Sequence, residues 1–246
     1  MCDQYSSSAP APTPDFPRRN FLKLAGAAAL GLVFADRISG AEPLAPPKPR
    51  NILSPDAALD RLMKGNARYV KGSALRHDFV AERPALALGQ NPYAGILSCA
   101  DSRIAPELAF DTGRGDVFVC RVAGNFAGTE SLASFEYAVA VLSTPLILVL
   151  GHNNCGAVTS TVKAVKDGQT FPGHIPSLIS AIRPAVNAAL HVPGDLLENA
   201  IRQNVLLNVK KIQSCAPILS EAVKKGSLRV VGGIYDLSTG SVTLIV

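Results

Sequence analysis

Three side chains in this 246-residue chain stand where their types and spacing can do chemistry. Cys99 opens the run Cys99-Ala100-Asp101-Ser102-Arg103, and His152 and Cys155 bracket His152-Asn153-Asn154-Cys155. Two thiolates and an imidazole form a borderline-soft donor set that suits zinc. A His and a Cys three positions apart can address one metal from a loop entering a helix, with Gly151 and Gly156 on either side allowing a tight turn. The amino end of the helix beyond Cys155 favours a thiolate. Three such ligands leave a fourth tetrahedral corner open, the mark of a catalytic site; a structural site closes it with another Cys or His. Cys120 and Cys215 offer that ligand on paper. Cys120, however, falls within the apolar alternation of a strand, and Cys215 sits at a helix junction with no His or Cys beside it. A disulfide between these two stays open in an oxidising compartment. Asp101 can also ligate, but Arg103 two residues on would hold its carboxylate ionised and turned from the metal. There it can accept a hydrogen bond from a metal-bound water or hydroxide, although Asp-x-Arg alone is also a common loop salt bridge.

The elements around these residues position them. Ser54-Pro55-Asp56 is a helix start, with a cap, a proline at the first turn and a carboxylate near the positive dipole end. Leu59, Leu62, Met63 and Tyr69 continue that helix to Gly72. Short apolar runs at 94–98, 117–122 and 145–150 read as strands, the last buried on both faces. Helical patterns follow at 130–142, 156–166, 175–190, 195–214 and 216–225, and two final strands at 228–235 and 241–246 are joined by a Ser238-Thr239-Gly240 turn. Strands alternating with helices predict an α/β fold of three layers, a central mostly parallel sheet of four strands plus an antiparallel edge strand, flanked by helices. In such sheets ligands bind beyond the carboxyl ends of the strands. Cys99, the stretch Arg121–Asn125 and His152 all meet that rule.

The two motifs together resemble the β-class carbonic anhydrases, whose pattern is Cys-x-Asp-x-Arg followed by His-x-x-Cys. Arg121-Val122-Ala123-Gly124-Asn125, Phe135-Glu136-Tyr137-Ala138 and Gly233-Ile234-Tyr235-Asp236 extend the resemblance over most of residues 54–246, read as a single catalytic domain. The resemblance implies one Zn2+ per chain on Cys99, His152 and Cys155, with Asp101 and Arg103 as the catalytic pair. It implies reversible hydration of CO2 to bicarbonate and a proton by a zinc-bound hydroxide, that is, a carbonate dehydratase. The plant-like branch lines its CO2 pocket with residues that match Gln90, Phe118 and Tyr137, while Ala123 replaces a usual Val. Regulated members hold a second bicarbonate with Trp, Arg and Tyr. This chain has no Trp, Ile96 takes the matching place, and Arg121 and Tyr235 remain, so Asp101 is expected to stay off the metal. The family also implies a homodimer or a higher homo-oligomer, with the helix at 55–71 as an amino-terminal arm wrapping the partner. Related readings are a carbonyl sulfide or carbon disulfide hydrolase on the same fold, or a non-catalytic zinc-binding scaffold. A redox protein is disfavoured by the lack of CxxC.

The amino terminus reads as an address. Residues 6–17 are rich in Ser, Ala and Pro; Arg18-Arg19-Asn20-Phe21-Leu22-Lys23 follows, then a short apolar run and the small residues Ser39-Gly40-Ala41. This layout resembles a twin-arginine export signal over 1–41, implying the Tat export machinery as a partner and a periplasmic or otherwise exported location. Residues 42–53 are a Pro-rich linker. The formal charge of +5 is scattered, without the clustered basic stripe of a nucleic-acid binder. No apolar run is long enough for an integral membrane span.

Overall fold

The computed structural model describes residues 52–246, so the export signal and nearly all of the linker lie outside the described residues. The chain runs α1 (Pro55–Val70), α2 (Arg83–Ala87), β1 (Ala94–Ser98), α3 (Pro106–Ala109), β2 (Val117–Arg121), α4 (Thr129–Ala140), β3 (Leu146–His152), α5 (Gly156–Lys166), α6 (Ile175–Ala189), α7 (Leu196–Gln213), α8 (Ile218–Lys224), β4 (Arg229–Tyr235) and β5 (Val242–Leu244). The strand order is β2-β1-β3-β4-β5, parallel except for β5 against β4. The expected three layers are present. Two short helices, α2 and α3, were not anticipated, because four or five residues carry too little periodicity to register.

Burial explains the order. Every residue of β1 and β3 is buried, as strands covered on both faces must be. One face carries α1 and α3 over Ile96, Leu148, Leu150 and Val231. The other packs α4, α7 and α8 over Leu97, Ile147, Val149 and Val230. β2 is an edge strand, half-buried over most of its length. The chain leaves β1 toward β2 on one side and later returns to β3 on the other. The crevice at the carboxyl ends of β1 and β3 is therefore the switch point of the sheet, where such folds hold ligands.

The amino-terminal helix α1 packs against the sheet of its own chain. Ser54 caps α1 by accepting from the Ala57 amide at 3.3 Å, and Ala58, Leu59 and Leu62 enter the core. Buried Asn66 donates to the Ala109 and Gly240 carbonyls at 2.8 Å each and accepts from the Val242 amide at 2.9 Å. One side chain thus ties α1 to α3 and to the β4–β5 connection.

Gly151 serves a purpose other than the turn read from the sequence. It lies inside β3, and a Cβ there would meet Val205 Cγ2 of α7 at 2.7 Å. The left-handed turn before α5 is made by Asn154, at φ 52°. Val205 is stiff at χ1 and cannot swing away cheaply. Gly151→Ala is expected to destabilise the fold by about 2 kcal/mol through overpacking. Urea denaturation should show the loss, and Val205→Ala in the same chain should recover part of it.

Candidate metal centre

Each candidate ligand is delivered by the end of an element. Cys99 follows β1 directly, His152 is the last residue of β3, and Cys155 is the N-cap of α5. Because β1 and β3 are neighbours with Ser98 level with Leu150, these ends meet. One ligand atom from each residue lies within 4.8 Å of the others, and all three residues are buried. The two Sγ atoms are 4.0 Å apart. Tetrahedral zinc with Zn–S bonds of ~2.3 Å requires about 3.8 Å between sulfurs.

The surroundings fit a cation. Buried His152 Nε2 has no hydrogen-bond partner. His152 Nδ1 is 2.8 Å from the Asn153 carbonyl, an acceptor that keeps the proton on Nδ1 and the lone pair on Nε2. The Asn153 side chain accepts from the Leu237 amide at 2.9 Å, anchoring this peptide to the segment after β4. Cys99 Sγ accepts from the Gly124 amide at 3.2 Å. A Cβ on Gly124, which has φ 83°, would lie 2.4 Å from Ile182 Cδ1, so only glycine brings its amide this close.

The thiols oppose one another. A hydrogen bond from Cys155 pulls the Cys99 pKa down, against burial and with help from His152 and the Gly124 amide. Cys155, next to that sulfur and buried, is pushed far up, although the first amides of α5 favour its thiolate. One thiol ionises readily and the second does not. A divalent cation between them removes that conflict, so the donor set fits zinc.

Asp101 stands beside this trio without joining it. Arg103 holds it in a fork, Nε to Oδ1 at 2.9 Å and Nη2 to Oδ2 at 2.7 Å, and the Arg103 amide donates to Oδ1 at 3.0 Å. Those bonds, the Arg103 side chain first, hold the carboxyl well below the usual carboxylate range. Asp101 Oδ2 is 3.9 Å from His152 Nε2, at the border of the metal position.

The remaining sequence candidates divide. Ala123 adjoins Gly124 and so sits beside the trio. Gln90 lies beyond the amino end of β1, two residues before Pro92, whose carbonyl accepts from Thr144 ahead of β3. The whole of β1, about 16 Å of strand, separates it from Cys99. Phe118 pairs in register with Gly95, three residues below Arg121 and hence about 10 Å down the edge strand. Its ring stands 6.5 Å from that of Tyr137 on α4, and Tyr137 is 49% exposed. Within one chain these three side chains do not line the metal position. Cys120 and Cys215 are free thiols, both packed against the α4–α7–α8 core.

A family model described as Carbonic anhydrase matches residues 94–242. The chain belongs to the carbonic anhydrase family. It is 38% identical over 192 residues to carbonic anhydrase 2 of Mycobacterium tuberculosis, covering 78% of this chain and 93% of that protein. Among solved structures it resembles a Coccomyxa β-carbonic anhydrase in complex with acetazolamide, at 28% identity and TM-score 0.58, covering 76% of this chain and 81% of that one. It also resembles a structure from work on two tetrameric β-carbonic anhydrases of Sordaria macrospora, at 25% identity and TM-score 0.60, covering 76% and 96%. These neighbours place the chain in the β class.

Replacing a ligand should remove the metal. His152→Ala and Cys155→Ala are expected to bind zinc at least roughly 100-fold more weakly than the parent. Competition with a chromogenic chelator checks this, and parental affinity in either variant would dismantle the trio.

Proposed function

We propose that this chain interconverts CO2 and bicarbonate, with one zinc held by Cys99, His152 and Cys155. The observation that carries the reading is the Arg103-clamped Asp101 carboxylate, 3.9 Å from His152 Nε2. A metal serving only to hold the fold together needs no ionised carboxylate at its open corner. Zinc, when bound, supplies a Lewis acid that lets water ionise near neutral pH. Asp101, kept anionic by Arg103, would accept a hydrogen bond from the reacting water beside the metal position and orient it toward CO2. The Arg103 fork keeps that carboxylate from swinging onto the metal. His152 is held in one tautomer by the Asn153 carbonyl and remains a ligand, so the proton released by hydration leaves by another route. Ala123, next to Gly124 in the chain, belongs to the CO2 pocket in this reading.

Gln90, Phe118 and Tyr137 enter this reading across a chain–chain interface. The half-buried β2 edge and exposed Tyr137 support that arrangement, as do the tetrameric enzymes of Sordaria macrospora among the structural neighbours. A homodimer or larger homo-oligomer is therefore part of the proposal, with α1 as the amino-terminal arm that wraps the partner. Export through the twin-arginine route to the periplasm is a further part, supported by Arg18-Arg19 and the apolar run and small residues after it. Among the described residues, no helix is long and apolar enough to cross a membrane.

Stopped-flow CO2 hydration by the purified zinc protein tests the chemistry. Asp101→Asn, which keeps the shape and removes the anion, should lower kcat on the order of 100-fold while zinc content stays unchanged. Turnover of carbonyl sulfide with hardly any of CO2 would move the chain to the hydrolase branch, and zinc without turnover would leave a scaffold. For the address, Arg18→Lys with Arg19→Lys should keep the full-length precursor inside the cell on fractionation. Undiminished export would refute the twin-arginine reading.

A further inference from the structure

Arg121 closes β2, level with Ser98 at the end of β1, and its side chain turns onto the loop that follows β1. Nε donates to the Cys99 carbonyl at 3.0 Å, and Nη2 donates to the Asp101 carbonyl at 2.8 Å and to the Ile104 carbonyl at 2.9 Å. The strands add two bonds at the same place: the Ala100 amide reaches the Val122 carbonyl at 3.2 Å, and the Val122 amide reaches the Ser98 carbonyl at 3.1 Å. The segment from Cys99 to Ile104 is thus curled around one guanidinium. That segment carries a metal ligand, the catalytic carboxylate and the arginine that clamps it.

The geometry points to Arg121 as a positioning residue that sets the Asp101 carboxylate against the metal position by holding the loop's carbonyls. This rests on the carbonic anhydrase reading of the site. Three carbonyls on one rigid fork fix the course of the chain from Cys99 to Ile104, and the Asp101 peptide is gripped at its own oxygen. The Asp101 carboxylate is consequently held at both ends, by Arg121 through the backbone and by Arg103 through the side chain. These bonds commit two of the three guanidinium nitrogens to the loop. Nε and Nη2 point at the chain's own oxygens, and the other residue matched to the regulatory bicarbonate set, Tyr235, has its hydroxyl 3.3 Å from that of Tyr69. Lysine cannot substitute: a single ammonium on a flexible stem cannot reach three acceptors in the fixed geometry of the fork.

Arg121→Lys, alone and combined with Asp101→Asn, tests the assignment. Supporting tertiary contacts of a metal centre are typically worth roughly 10–100-fold in metal affinity or activity. In zinc-loaded Arg121→Lys, amide hydrogen exchange over residues 99–105 should rise at least roughly tenfold with the central strands unchanged. The kcat for CO2 hydration should fall roughly tenfold with KM nearly constant, and that fall should vanish in the Asp101→Asn background, because the two residues act through one group. Unchanged loop exchange, a loss of equal size in the Asp101→Asn background, or a loss confined to KM would each overturn the proposal. If Arg121→Lys does not fold, Arg121→Gln carries the same readings with a planar donor. A parent that hydrates no CO2 would sink the functional reading alone, and loop exchange together with zinc affinity, expected to be roughly tenfold weaker in the variant, would still decide the role of Arg121.

Discussion

Two sulfurs 4.0 Å apart in a buried pocket cannot both carry a charge unless a cation lies between them. The structure holds them at that separation regardless, with the unpartnered nitrogen of His152 completing the set. The rest of the fold is organised to hold that arrangement. β1 and β3 are central and buried on every residue, so their ends do not drift. The first turn of α5 begins at Cys155 and directs its amides toward that thiol. Backbone groups of Gly124 and Asn153 orient the other two ligands.

Around that centre the polar groups fall into two sets. Asn153 and Gly124 act on the ligands themselves, fixing a tautomer and favouring a thiolate. Arg103 and Arg121 act on Asp101, one through its carboxylate and the other through its peptide. The same kind of side chain therefore serves twice on one loop, once as a charge partner and once as a scaffold. The fork geometry of arginine suits both tasks, because it presents parallel donors at fixed spacing.

Much of this was legible in the amino-acid sequence. The strands and long helices follow from periodicity, and the metal trio follows from side-chain types that have few other uses in combination. Other features were hidden for physical reasons. The helices α2 and α3 are too short to show a period. Gly151 looks like a turn residue, but its reason is Val205, more than fifty positions later on another element. The partner of His152 is a main-chain carbonyl, which every residue possesses and no pattern can flag. Arg121 could be read as a leftover of a bicarbonate site, since nothing in its neighbours tells which way a guanidinium will turn. The positions of Gln90, Phe118 and Tyr137 follow from strand ends and register, which spacing relative to Cys99 does not encode.

The ligands come from two separate crossovers, with Cys99 and Cys155 standing 56 positions apart and the whole of β2 and α4 between them. An ion bound across that span ties the intervening chain into a closed ring. Such an ion binds the folded arrangement and not the unfolded chain, so its binding free energy would add to the stability of the fold. A metal held there would be a staple as well as a reagent, because the chain between residues 99 and 155 could open only by giving up one of its sulfurs.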